Sequence, residues 1–513
     1  MRRIAAATTL ALLAALGGAG PAPAASRLIV TGHGFGHGIG MSQYGAMGFA
    51  QHGASYKDIL AHYYEQTQVA PLGGNPDVRV LLQSGRRVVV SGAVAAGDRK
   101  LNPASAYAAR AASGRIALFS ASGRKLGTYD APLRIAAPSG GAVALRGSAA
   151  NGTRDGSYRG AIEVRPGSGS GVLAINAVDL EDYVRGVVSA ESPANWPAEA
   201  LKAQAVAART YAVTTNVGSA TDGIDQYADT RSQLYKGVAA EFPQTDAAVA
   251  ATAGQVVTQN GRPVTTYFFS TSGGHTENIE FSFLGALPQS WLQGVDDPYD
   301  AVSPKHSWGP FTFTQARAQA KLHGLVRGKF RGITVTERGT SPRIVRAEVD
   351  GTNGVTAVTG PQLRSRLGLF DTWATFTYIS SDAKQQPAPS PGEGSGATTP
   401  ASTTAPASTT SPSGGTSAAG NDTTGGQAAS VARMLRGVLA RPAAAPTVSV
   451  LAGTIAPAHP GRTLRVQRRE HGTWRTVGLT KVGSGGRYQA TLPRPGRYRV
   501  ARGVVAGPAV DVR

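Results

Sequence analysis

The sequence contains no cysteine. That absence excludes disulfide frameworks, thiolate nucleophiles, cysteine-ligated zinc and iron–sulfur clusters. Acidic residues are scarce: 31 Asp and Glu stand against 51 Lys and Arg, a formal charge of +20. Long apolar runs are also missing. The stretch from Ile4 to about Leu16 falls short of the ~20 residues that a membrane span requires. The hydrophobic content of 41% nevertheless suffices to build cores, so the chain is not wholly disordered.

The positive charge is unevenly placed. Val431–Arg513 holds 15 Lys and Arg against Glu470 and Asp511, a surplus of 13, and the other 430 residues carry a surplus of 7. A basic surplus points to an anionic partner. Its confinement to the tail, in a chain read as exported, argues against nucleic acid and for an anionic wall polymer.

Residues 1–25 read as a secretory signal peptide. Arg2 and Arg3 precede a short apolar stretch, and Ala22-Pro23-Ala24 offers small residues for cleavage. The expected location is therefore secreted or cell-wall associated. Residues 381–430 are rich in Ser, Thr, Pro and Gly, with too few bulky side chains to offset the entropy of ordering, and read as a disordered linker. Residues 445–513 alternate apolar and polar positions between turn signals such as HPGR and GSGGR. They predict a small, basic, all-β, sandwich-like domain. Between signal and linker, residues 27–380 carry strands before and after a central helical block, an α+β layout.

The helical block runs from Asn176 to Thr215. Asp179 is placed to cap a first helix that ends before a turn at Pro193, and Pro197 suits the first position of a second. Leu201, Ala205, Ala208 and Ala212 share one face of that second helix, a small-residue stripe that admits close packing. Lys202 and Arg209 flank the stripe on one side and Gln204 and Tyr211 on the other. The charged pair reads as a solvated face. Glu191 falls between the two helices beside Pro193 and Trp196. Held there, its carboxyl would have a raised pKa suited to general-acid work. The same pattern also describes an ordinary solvated loop glutamate.

Near the start stands TGHGFGHGIGMSQYGAMGFAQ. His33 and His37 are four apart, as on a metal-binding helix face, but alternating glycines at 32, 34, 36, 38 and 40 argue for a loop that approaches a ligand closely. No Gly-Lys-Ser/Thr follows, so a phosphate-binding loop does not match. Ser270, Ser272 and His275 in FFSTSGGHTE raise the idea of a Ser/His hydrolase, yet no nucleophile-elbow pattern or orienting acid accompanies them.

YRGAIEV, LEDYVRGVVSAESPANWPAEALKAQAVAARTYA, DTRSQLYKGV, AVAATAGQVV, YFFSTSGGHTE and DDPYD occur in that order, with GPQLRSRLGL later. Together they resemble the stage II sporulation protein D / amidase-enhancer LytB (SpoIID/LytB) family from about Val78 to Phe376. The resemblance implies a peptidoglycan lytic transglycosylase that cleaves glycan strands free of stem peptides outside the membrane, or a non-catalytic wall-binding protein that enhances a separate amidase. It places the catalytic glutamate on Glu191. Substrate contacts fall on Lys202, Gln204 and Arg209, and on Ser272, His275, His37 and Gln43. Some relatives hold zinc with Cys and His near this area. With no cysteine here, no metal or other cofactor is expected. The Gly/His segment, residues 31–67, usually ends this kind of domain but here begins it. The expectation is a permuted order in which Thr31–Thr67 packs back on the domain's end and brings Gly32–Tyr44 near Glu191.

Overall fold

The strand Ala25–His33 takes up a place inside a sheet, between Ser307–Thr314 on one side and Ala374–Pro387 on the other, antiparallel to both. The alternation of Leu28 and Val30 with Ile29 explains the position: each sheet face receives buried apolar side chains, as a strand covered on both sides requires. The computed structural model describes residues 25–387 and 447–512. The expected signal peptide, as far as residue 24, and the expected linker from residue 388 onward lie outside the described residues. The described part of the chain is mixed: its two longest helices lie within 180–214, as expected, but others stand near the start at 43–63 and among the later strands.

A seven-stranded sheet forms the body of the larger region, with Asp77–Gly85, Val172–Asp179 and Ala161–Pro166 at its centre. Against it lie α3 (Leu180–Glu191) and α4 (Ala198–Thr214). Asp179 caps α3 as its sequence position suggests, its side chain accepting the Asp182 N–H at 2.9 Å. Pro197 occupies the cap position of α4, one residue ahead of the expected first turn.

The four stripe residues of α4 face the sheet core. Its other side is buried too. Ala203, Val206 and Ala207 join a second core with Ile39, Met41, Ile59, Leu60, Tyr63 and Tyr64 from the N-terminal segment. That segment folds into α1 (Gln43–Gln51), capped by Ser42, and α2 (Tyr56–Tyr63), capped by Ser55 in a reciprocal box with Asp58. Alanine on both faces lets sheet and N-terminal helices approach α4 from opposite sides. This makes α4 the spine that joins the N-terminal helices to the seven-stranded sheet.

The C-terminal strands do not stand apart. Thr447–Ala456 pairs with Ala374–Pro387 over ten residues, and Arg487–Thr491 adds a further strand, so one five-stranded sheet runs from Ser307–Thr314 into the basic segment. The strand Ala374–Pro387 therefore continues past residue 381, where the linker was expected to begin. A second sheet, built on Thr463–Glu470, Thr473–Lys481 and Gly496–Arg502, covers the first. Between them Ile29 and Ile379 of the larger region share a core with Leu451, Leu464, Tyr498 and Val500.

Candidate active site

Glu191 is the last residue of α3, not part of the following loop. At a helix C-terminus the unpaired carbonyls disfavour a carboxylate, and the remedy is a donor from elsewhere. Two donors arrive. The Leu234 N–H donates to Oε1 at 2.6 Å, and the Gln43 amide donates to Oε2 at 3.2 Å. The carboxyl is half-buried, and burial pushes its pKa above the ordinary glutamate value. The Leu234 N–H, the Gln43 amide and the charge of Lys236 pull it back in part. None of these partners is a carboxyl group.

Gln204, buried nearly two turns into α4, completes the group. Its Oε1 accepts from Gln43 at 3.4 Å and from the Ser192 hydroxyl at 3.3 Å. Its amide nitrogen is buried without a partner among the described residues, a polar cost that a productive site tolerates when a ligand oxygen takes up the donor. Tyr44, beside Gln43 in α1, meets Trp196 edge-on at 4.9 Å, and both rings are half-buried, Trp196 on the turn that follows Glu191.

Of the eight site residues expected from the sequence, Glu191, Gln43 and Gln204 thus come together. The other five do not join them. Arg209 is fully buried, not part of a solvated face. Its Nε and Nη2 clamp Glu181 at 2.8 and 2.7 Å, and Nη1 donates to the Gln255 carbonyl. This guanidinium ties α4 to the start of α3 and to the strand Gln255–Gln259. Lys202 pairs with Glu199 at 2.7 Å on the side toward Tyr56.

Ser272 is fully buried, and its hydroxyl accepts the Gly274 N–H. The Ser270 hydroxyl bonds to that of Thr271, and the His275 ring bonds to the Thr276 carbonyl, so no Ser/His dyad forms. His37 is half-buried among the rings of Tyr267, Phe269 and Phe283. Its Nδ1 accepts the Ile39 N–H and its Nε2 donates to the Phe268 carbonyl. Burial, then the charge of Arg364, hold this imidazole neutral, with a pKa down to about 3.

The glycines of the Gly/His segment serve close packing on the protein itself. A Cβ on Gly38, where φ is +88°, would lie 2.6–2.9 Å from the Arg343 side chain. Arg343 is buried in a two-pronged pair with Asp371 and also donates to the carbonyls of Ser272 and His275. The loop lies on this pair and delivers Ser42 and Gln43 to the start of α1. The expected nearness of Gly32–Tyr44 to Glu191 is met through Gln43, and the pairing of Gly32 with Ala374 sets the segment on the end of the region.

Leu234, Ser192 and Lys236 escaped the reading of the sequence. Leu234 acts through its backbone, which no side-chain pattern announces, although DTRSQLYKGV marks the stretch.

Residues 168–259 match the family model described as Stage II sporulation protein. Stage II sporulation protein D of Bacillus subtilis is 34% identical over 211 residues, which cover 38% of this chain and 60% of that protein. The amidase enhancer of the same organism is 34% identical over 147 residues, 28% of this chain and 18% of that protein. A Brachyspira hyodysenteriae protein named only as uncharacterized is 38% identical over 127 residues, 24% of this chain and 33% of that protein. The chain therefore spans about three fifths of the length of the sporulation protein. The matched family span holds Glu191 and Gln204 but not Gln43.

Proposed function

We propose that this chain, similar to the SpoIID/LytB family across residues 168–259, acts outside the membrane on peptidoglycan, as a lytic transglycosylase that cleaves glycan strands to 1,6-anhydro-muramyl ends. The observation that carries the reading is a single raised carboxyl, Glu191, gripped by Gln43 and Leu234 with no second carboxyl among its partners.

Hydrolysis with water ordinarily takes two carboxyl groups at a set separation. One is enough for the lytic route. Protonated Glu191 gives its proton to the O4 leaving oxygen as the glycosidic bond breaks. The carboxylate so formed then takes the proton of the C6 hydroxyl on the same muramyl sugar, and O6 closes on C1. The proton lost in the first step is regained in the second, so no external water is consumed. A pKa raised by burial keeps the acid loaded, and the amide of Gln43 steadies the carboxylate between the two steps. Gln204 supplies a donor beside the reacting centre.

The name of the amidase enhancer supports a second reading, a wall-binding protein without chemistry of its own that assists an amidase. In either case the exposed arginines at 462, 465, 475, 487 and 497 suit an anionic wall polymer.

The deciding experiment is mass spectrometry of peptide-free and intact peptidoglycan after incubation with wild type and Glu191→Gln. We expect anhydro-muramyl ends from wild type and a loss of about 10²–10⁴-fold in the variant. Reducing ends would mean a hydrolase. No cleavage of either substrate by wild type would favour the enhancer reading, and full activity in the variant would remove Glu191 from the chemistry.

A further inference from the structure

Resting on the reading of a glycan substrate, we infer that the pocket in front of Arg364 is a subsite for a carboxylate carried by that glycan. The pocket, of about 450 Å3, opens between the Gly/His loop at Gly36 and His37, the ring of Phe283, and the helix Gly360–Leu367 that bears Arg364.

Arg364 is half-buried, and no hydrogen bond or ion pair from the described residues reaches its guanidinium. Burial lowers its pKa, the mark of a cation deprived of solvent. The nearby acid, Asp371, is already spent. Both of its oxygens are taken by Arg343 at 2.9 and 3.0 Å, and one also accepts the Trp373 N–H. A half-buried guanidinium without a counter-ion is costly to keep, and its planar fork of donors matches a carboxylate. His37 is neutral and its nitrogens are engaged, so it adds wall rather than competing charge.

The pocket is also connected to the candidate active site. Phe283 meets Tyr267 edge-on at 5.2 Å, and Tyr267 meets Tyr211 at 5.9 Å. Tyr211 in turn feels the charge of Glu191. These rings are packed contacts, with Tyr211 itself buried, and the direct link is the Gly/His loop, which walls the pocket at Gly36 and His37 and carries Gln43 to Glu191. Phe283, about a third exposed, stands at the pocket end of the rings.

Two carboxylates are available on such a strand: the lactyl group of a peptide-free muramyl sugar and the terminus of a stem peptide. Binding is measured by calorimetry on the full chain in a Glu191→Gln background, so that turnover does not interfere. Three probes are used: a chito-oligosaccharide without carboxylates, a peptide-free muramyl glycan oligomer, and the same oligomer with its stem peptides. Arg364→Gln is expected to weaken the peptide-free oligomer about 10- to 100-fold, as loss of a charged hydrogen-bonded pair implies, while the chito-oligosaccharide is unaffected. Arg364→Lys should lose less.

A loss confined to the peptide-bearing oligomer assigns the pocket to the peptide terminus. Equal loss on all three probes, no loss on any, or no binding of a carboxylate-bearing probe before substitution overturns the inference. Continued cleavage by Glu191→Gln would instead count against the proposed chemistry and leave the affinity differences readable.

Discussion

Glu191 holds its proton where an exposed glutamate has lost it, because the end of a helix and the loss of solvent both disfavour the charge. The sign of the consequence follows from linkage. The folded pKa lies above that of the unfolded chain, about 4.3 for a free glutamate. Between those two values the unfolded chain has released its proton and the folded chain has not. Stability therefore falls as pH climbs from the ordinary glutamate value to the folded one. Gln has no proton to lose, so the thermal midpoint of Glu191→Gln minus that of wild type should be smallest at the ordinary glutamate pKa and grow as pH rises above it, as read by parallel melts. A constant gap would mean the carboxyl is not perturbed. Cleavage should decline over the same rise in pH as the acid empties. The family resemblance pointed to this residue, beside Pro193 and Trp196. Its partners were less legible: Gln43 lies 148 positions away, and Leu234 contributes only an N–H.

At the scale of elements, the Gly/His loop and α4 show how one pattern serves different ends. Alternating glycines suggested room for a ligand, but the room is filled by Arg343, Trp308 and Phe269. Gly38→Ala should cost about 1–3 kcal/mol, the usual penalty of a strained backbone, before adding the clash with Arg343. Gly53→Ala, at the same φ of +88° with nothing within 4 Å of the added carbon, isolates the backbone part. Urea unfolding of the pair should show Gly38→Ala to be the more damaging. Cleavage should fall with it alone, because the loop carries Gln43. In α4 the periodicity disclosed one buried face correctly, yet the opposite face is buried as well. Alanine fits a helix open to solvent and a helix enclosed on both sides equally well, so Arg209 was read as solvated. Its actual role, clamping Glu181 in the interior, depends on which elements close over it.

For the molecule as a whole, the shared sheet predicts that the basic C-terminal segment supports the body of the protein. Removing residues from Thr447 onward would uncover Ile29 and Ile379, worth about 1.5–3 kcal/mol each when fully buried, and would strip the pairing from Ala374–Pro387. The shortened chain should melt lower than the full chain and self-associate on size exclusion through the exposed strand edge. An unchanged melting temperature and a monomeric profile would show the segment to be independent.

What the sequence determined by itself is local: the helix caps, the apolar alternation, the carboxyl beside Pro193 and Trp196, and the mixed α+β class. These depend on neighbours within a few residues, where propensity and periodicity act. Which side chains meet was decided by the tertiary structure. The strand Ala25–His33 enters the sheet beside Ala374–Pro387, α1 lies across α4, and so an amide near one end of the chain reaches an acid far along it. Burial, too, belongs to that level, because a charge is raised, clamped or left unpaired only by the elements that surround it.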